Sequence, residues 1–504
     1  MTTMIGPLAR AMGVGPERCA VRCGDLQLSY GQMWERAGRV VGGLHGLGVG
    51  PGDRVAVVGP NCHRYLELYQ AIPGAGMVLV PLNQRHTAAE LGYALQDSGA
   101  KVLFAAAGID YPDGLVEHAF DMGDGYEQLI ADAPPSAFPG ELSSDTVAGL
   151  FYTGGTTGAA KGVMLTHRNL VANALHFQAA WAFGPDTCWL VAAPLFHAAG
   201  SIAVLATVWH GGRHVALRAF DPGAALDLIE SERVTATLLV PTMLAAISDE
   251  QLARPRDVGS LSLLSHGGAP VATETLRSAH AAFPAAELMH LYGTTETAPI
   301  ATILPHEERV LDCAQGHSCG QPAVGVEVVV RDLATGVPVS TGTVGEVAIR
   351  GENVMQGYWN KPEATAAALC DGWYRTGDLG YMDDHSYLYL VDRAKDMIVS
   401  GGENVYSTEV EEVLFRHPAV LEAAVFGIPD ERWGEVVHAV VVPRDDVTEA
   451  DLLGHCRGLI AGYKLPKRID LRTEPLPKSG AGKVLKRELR APFWEGRRTM
   501  VAGA

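Results

Sequence analysis

The chain has 504 residues, 47% hydrophobic and 19% charged. That length exceeds one ordinary core, so two or three domains are expected, and the mixture is that of a globular protein. A formal net charge of −18, from 39 Lys+Arg against 57 Asp+Glu, excludes a general nucleic-acid binder, which needs a basic face.

Met1 to Arg10 has no apolar core of signal-peptide length, and the longest apolar runs, such as Ile202 to Trp209, fall far short of a membrane span. The expectation is a cytoplasmic protein with no transmembrane segment, weak peripheral membrane contact being left open. Eight cysteines are dispersed without a Cys-x-x-Cys, and Cys19-x3-Cys23 has no second pair nearby. Free thiols in a reducing compartment are a simpler reading than a zinc site.

In chain order, Arg54-Val55-Ala56-Val57-Val58 reads as a strand, Tyr65 to Ala75 as a helix, Met77 to Pro81 as a strand and Lys101 to Phe104 as another. Alternation of this kind implies parallel sheets with crossover helices. Thr146 to Tyr152 is the next expected strand. Thr153-Gly154-Gly155-Thr156-Thr157-Gly158-Ala159-Ala160-Lys161 follows, with a helix expected to begin near Thr166.

That Gly/Thr-rich stretch reads as a phosphate cradle. Glycine lets backbone N–H groups approach an anion, threonine hydroxyls add donors and Lys161 adds charge. It is not the P-loop, which needs Gly-Lys followed by Ser or Thr; Lys161 stands between Ala160 and Gly162. Gly480-Ala481-Gly482-Lys483-Val484 fails the same test, with Pro477 at the early glycine position and Val484 unable to ligate magnesium.

Further strands are expected at Thr187 to Ala193, His214 to Leu217, Ala236 to Val240 and Ser260 to Ser265. Pro194-Leu195-Phe196-His197 closes the first and Gly267-Gly268-Ala269-Pro270 follows the last; Tyr292-Gly293-Thr294-Thr295-Glu296 is a turn ending in a carboxylate. After about Gly320 the texture turns β-rich, a small barrel or distorted sheet. Tyr374-Arg375-Thr376-Gly377-Asp378 is a second acidic turn, and Arg393-Ala394-Lys395-Asp396 is a charged break. Beyond it lies a compact segment: helix Ser407 to Arg416, strands Val420 to Phe426 and Val436 to Val442, and helix Glu449 to Ile460.

Taken in this order, from about Leu28 to Leu489, the motifs resemble the acyl-CoA synthetases of the adenylate-forming superfamily, which also holds luciferases and peptide-synthetase adenylation domains. The resemblance implies an α/β protein. Residues 1–392 form a large domain of parallel-rich sheets with helices plus a small β-barrel, and residues 393–504 a mobile α+β lid. The implied reaction joins a carboxylic acid to coenzyme A, using ATP and Mg²⁺, through an acyl-adenylate.

By resemblance Thr153, Gly154, Gly155, Thr156, Thr157, Gly158 and Lys161 hold the ATP phosphates. Gly154 departs from the usual serine and Ala160 from the usual proline. Gly267, Gly268, Ala269, Tyr292 and Gly293 form the adenine slot, Thr294 and Thr295 border the phosphates, and Glu296 ligates Mg²⁺. Asp378 takes the ribose hydroxyls, Arg393 reaches the ribose or phosphate region, and His197 orients the acid. Lys483 serves adenylation and Lys395 is the hinge between the two half-reactions. Gly401 and Gly402 build the thiol channel, with Tyr463 and Lys464 at the CoA nucleotide.

The segments Ser400 to Tyr406 and Tyr463 to Lys467 are similar to fatty-acyl and aryl-acid ligases, and a fatty acid is the expected substrate, an aryl acid the alternative. No acidic group near His197 awaits an amino acid's amine, and no arginine beside His266-Gly267-Gly268 awaits a second carboxylate. The altered cradle is what favours a catalytically silent acyl or nucleotide sensor. Trp209 and Met243 are read as core packing rather than pocket limits. Oligomeric state stays open.

Overall fold

The structure is a computed structural model and describes residues 3–153, 160–306, 311–478 and 484–495. The chain splits into two compact units, Met1–Val328 with Ile349–Tyr374, and Val329–Ala348 with Arg375–Ala504. No helix among the described residues is long and apolar enough to cross a membrane.

The first unit holds two sheets. One has seven strands in the order Gly357–Tyr358, Lys161–Thr166, Val147–Thr153, Val78–Leu82, Arg54–Val58, Val102–Ala105, His118–Asp121. From Val147–Thr153 to His118–Asp121 the neighbours run parallel. Their continuous apolar runs suit a sheet covered on both faces: every residue of Val78–Leu82 and Val102–Ala105 is buried. Pro81 has no N–H to give, and pairing to Val147–Thr153 is confined to Leu79↔Gly149, ahead of it.

The expected helix after the cradle is preceded by a strand. Lys161–Thr166 returns antiparallel to Val147–Thr153, bringing Thr153 opposite Lys161. Only then does the helix His167–Ala180 start. Thr166 caps it by accepting the Asn169 N–H, while Asn169 Oδ1 accepts the Thr166 N–H at 2.8 Å. The Val-Met-Leu run is continuously apolar in sequence; its alternation shows only in burial, with Val163 and Leu165 buried and Met164 part-buried.

The second sheet has nine strands in the order Gln321–Pro322, Thr302–His306, Glu287–Tyr292, Leu263–Gly267, Ala236–Leu239, Cys188–Val191, Arg213–Ala216, Cys19–Cys23, Leu26–Ser29. From Glu287–Tyr292 to Cys19–Cys23 all neighbours are parallel. Helices Pro222–Ser231, Pro241–Ala253 and Thr273–Ala282 cover one face through Leu226, Ile229, Leu244, Ile247, Leu276 and Ala279. Met243 packs against this core, as expected of it.

The β-rich stretch appears as strands Val326–Arg331, Gly345–Gly351, Trp373–Met382 and Leu388–Arg393. In the second unit, Asp378 to Met382 pair antiparallel with Arg393 to Leu388. A further sheet there runs Glu403–Val405, Ile398–Ser400, Gly434–Pro443, Val420–Asp430, with Arg468–Leu471 parallel on Gly434–Pro443. Helices Ser407–Phe415 and Glu449–Arg457 pack on it through Val410, Val413, Leu414, Leu452 and Cys456. Helix Lys486–Trp494 is held by Lys486 Nζ, 2.7 Å from Ser407 Oγ and 2.8 Å from Glu411, and Ser407 Oγ donates to Asp392 at 3.0 Å.

Candidate active site

Three of the expected motifs leave the same edge of the nine-stranded sheet. Cys188–Val191, Leu263–Gly267 and Glu287–Tyr292 are all parallel, and their carboxyl ends release His197, Gly268-Ala269 and Gly293 to Glu296. Ligands of open α/β sheets bind outside such strand ends. Gly267 lies opposite Leu291 in register, and a Cβ there would stand 2.1 Å from the Leu291 carbonyl oxygen. Only glycine lets the two strand ends close up.

His197 caps the short helix Ala198–Ser201, its Nδ1 accepting the Ala199 N–H at 3.2 Å. Its loop is pinned from the other sheet's layer. Buried Asn61 donates to the carbonyls of Val191 at 3.1 Å and Ala193 at 3.0 Å, and accepts the Leu195 N–H at 2.8 Å. Tyr69, on helix His63–Gly74, donates to the Leu195 carbonyl at 2.6 Å. Neither residue stood out in the sequence. Both act across long sequence separations, and an Asn before a helix reads locally as a turn residue.

The Thr294 N–H donates to Thr297 Oγ1 at 3.0 Å, and the Thr294 hydroxyl donates to Tyr374 at 3.4 Å. Thr295 to Thr297 form one 3₁₀ turn. Glu296 is bonded through its side chain to the Tyr358 hydroxyl at 2.8 Å. The Lys161 ammonium lies over the Tyr358 ring, 4.8 Å from its centroid. Tyr358 thus stands between two expected site residues, Lys161 and Glu296. Burial first, then the Glu296 charge, push its hydroxyl above the ordinary tyrosine range. No local sequence signal marks Tyr358, because its significance lies in partners 62 and more residues away.

Gly154, Gly155, Thr156, Thr157, Gly158 and Lys483 lie outside the described residues. Thr153 and Lys161, which flank the cradle, are brought together by strand pairing.

In the second unit Asp378 and Arg393 are opposite in register and form an ion pair at 3.1 Å. Burial first, then neighbouring Arg393, draw the Lys395 ammonium down to about 8. Gly401 and Gly402 make the turn between Ile398–Ser400 and Glu403–Val405 with φ of +61° and +87°, a conformation that favours glycine. Lys464 contacts both Glu409 oxygens, at 2.6 and 2.7 Å, and lies 5.7 Å from the exposed Tyr463 ring.

The profile of the AMP-binding enzyme family matches residues 8–359, and that of the AMP-binding enzyme C-terminal domain matches residues 409–483. The chain belongs to this family, the adenylate-forming acyl-CoA synthetases. It is accordingly an AMP-forming acid–thiol ligase. A feruloyl-CoA synthase from an Amycolatopsis species is 43% identical over 491 residues, 97% of this chain and 98% of that protein. The fatty acid–[acyl-carrier-protein] ligase ScoC of Streptomyces coeruleorubidus is 36% identical over 495 residues, 95% of this chain and 94% of that one. The crystal structure of ATP-bound MatB from Rhodopseudomonas palustris matches with a TM-score of 0.88 and 32% identity, covering 98% of this chain and 100% of that chain. Among these adenylate-forming relatives the fatty-acid expectation holds no advantage over the aryl-acid one.

Proposed function

We propose that this ligase converts an aromatic monocarboxylic acid to its CoA thioester with ATP. One observation carries the site: His197, the Gly267–Ala269 turn and the Tyr292–Glu296 turn emerge at one sheet edge. The acid class rests on similarity, the 43% identity to a feruloyl-CoA synthase against 36% to a fatty-acid ligase. The second reading is a fatty acid, favoured by that same 36% relative along nearly the whole chain.

A carboxylate is a poor electrophile because oxide would have to leave. In our reading its oxygen attacks the α-phosphorus of ATP, the bond to the β-phosphate oxygen breaks, and pyrophosphate departs. The thiol of CoA, losing its proton, then attacks the acyl carbonyl and AMP leaves. His197 orients the acid. Gly267, Gly268, Ala269, Tyr292 and Gly293 admit the flat adenine against backbone. Thr153, Lys161, Thr294 and Thr295, with the cradle and Lys483, receive phosphate oxygens and offset the charge gathered there.

The donor set fits Mg²⁺, a hard cation wanting oxygen ligands, because Glu296 is a carboxylate beside two threonine hydroxyls. Bound there, the ion would neutralise phosphate charge. We assign Asp378 and Arg393 to the ribose, Lys395 to a hinge, and Gly401, Gly402, Tyr463 and Lys464 to CoA. We place the functional boundary between residues 392 and 393.

The test is a panel of acids with ATP, Mg²⁺ and CoA, with pyrophosphate and thioester both measured. Ferulate and its ring-substituted relatives should give the highest kcat/KM. Preference for dodecanoate or hexanoate would establish the second reading, and no pyrophosphate with any acid would overturn both.

A further inference from the structure

We infer that Tyr358 is a positioning residue for the metal and phosphate end of the nucleotide, presenting the Glu296 carboxylate and seating Lys161. This rests on the roles proposed above for Glu296 and Lys161.

The segment around Tyr358 grips Glu296 twice. The Met355 N–H donates to the Glu296 carbonyl at 2.8 Å, and the Tyr358 hydroxyl donates to Glu296 Oε1 at 2.8 Å. The same segment steadies the rest of the turn, for Asn353 Nδ2 donates to the carbonyls of Thr297 at 3.0 Å and Ile300 at 2.7 Å. Its other edge belongs to the strand leaving the cradle. Tyr358 is in register with Val163, the Trp359 N–H donates to Gly162 at 2.8 Å, and the Gln356 N–H donates to Met164 at 3.0 Å. One short stretch therefore sets the register of Lys161 and the placement of Glu296 together.

The chemistry of the contact is that of an outer partner of a metal ligand. A hydroxyl donating to Oε1 restrains rotation of the carboxylate and leaves Oε2 with its lone pairs for a cation. The ring gives Lys161 a seat that a phosphate, with its full charges, outcompetes. The Tyr358 N–H donates to Thr365 Oγ1 at 2.9 Å, so the side chain is held by its own backbone as well as by packing.

Tyr358→Phe keeps the ring and removes the hydroxyl alone. ATP binding is followed by calorimetry across a Mg²⁺ titration for the parent, Tyr358→Phe, Glu296→Asp, Glu296→Gln and the Tyr358→Phe/Glu296→Asp double variant, with an unfolding midpoint for each. Tyr358→Phe should raise the Mg²⁺ needed for half-maximal ATP binding about 10-fold. Glu296→Asp, which withdraws the carboxylate from the hydroxyl, should do much the same, and the double variant should add nothing to either. An unmoved Mg²⁺ requirement in Tyr358→Phe, with a clear shift in Glu296→Gln, overturns the inference alone. Additive effects in the double variant overturn it too. No shift even in Glu296→Gln removes Glu296 from the metal site, and the proposed role of Tyr358 falls with it.

Discussion

Asn61 accepts the Leu195 N–H at 2.8 Å, although 134 residues separate the two. With its two donated bonds to Val191 and Ala193, the amide ties the His197 loop to the neighbouring layer. Asn61→Ala would take the amide from the buried Leu195 N–H and the Ala193 carbonyl, while the Val191 carbonyl keeps the Leu217 N–H at 3.2 Å, a loss of about 2–3 kcal/mol. Tyr69→Phe strips one bond from the Leu195 carbonyl and should cost about 1 kcal/mol. Both should raise the acid KM several-fold, about 3–10 times, with the ATP KM little changed, since a loop displaced by a fraction of an ångström misplaces the acid. Urea denaturation and steady-state kinetics check the pair; equal rises in both KM values would separate Asn61 from the acid.

Gly267→Ala places a methyl 2.1 Å from the Leu291 carbonyl. The parallel strands must part, at a cost of about 2–3 kcal/mol, and with Gly267 in the proposed adenine slot ATP affinity should fall. Gly46→Ala, where a Cβ meets nothing within 4 Å, is the matched control and should be neutral within about 1 kcal/mol. Thermal unfolding and ATP calorimetry on both variants decide.

Lys483→Ala should slow adenylate formation by about 100-fold or more, as losing a charge-offsetting group does, yet spare thioester formation from supplied acyl-AMP. Equal loss of both half-reactions would refute a lysine reserved for the first.

Acid should unfold the protein through its buried histidines. Burial above all draws His63, His167, His176 and His214 down to about 4 from the ordinary 6.5. Below 6.5 the unfolded chain takes up protons that the fold refuses. Stability is therefore whole above 6.5 and drains as pH falls toward 4, by up to about 1.4 kcal/mol per pH unit for each ring. His167 accepts the Met4 N–H at 3.1 Å, and His167→Gln should lessen the slope by about one proton. Denaturation midpoints at pH 7.5 and 5.5 measure it.

Much of the fold was legible because apolar runs and glycine breaks are local signals. Arg54–Val58 and Ala236–Leu239 lie within a residue or two of expectation, and helix Ser407–Phe415 starts at the expected residue. The strand Lys161–Thr166 was not legible because its three apolar residues stand side by side and show no alternation with polar ones. The turn glycines, His197 and Glu296 were legible as motifs. Asn61, Tyr69 and Tyr358 were not, since an Asn or a Tyr acquires such a role only from groups that folding brings beside it. The antiparallel return that seats Tyr358 next to Lys161 is itself a tertiary fact.

The Ala199 amide bonded to His197 Nδ1 has one more effect. With that nitrogen accepting, a neutral imidazole must carry its hydrogen on Nε2. In the acid-orienting role proposed for His197, that tautomer would present an N–H to an ionised acid and no lone pair to an ammonium group. A main-chain amide, present in every residue but proline, would thereby act as a polarity filter that, at position 199, only a proline could erase.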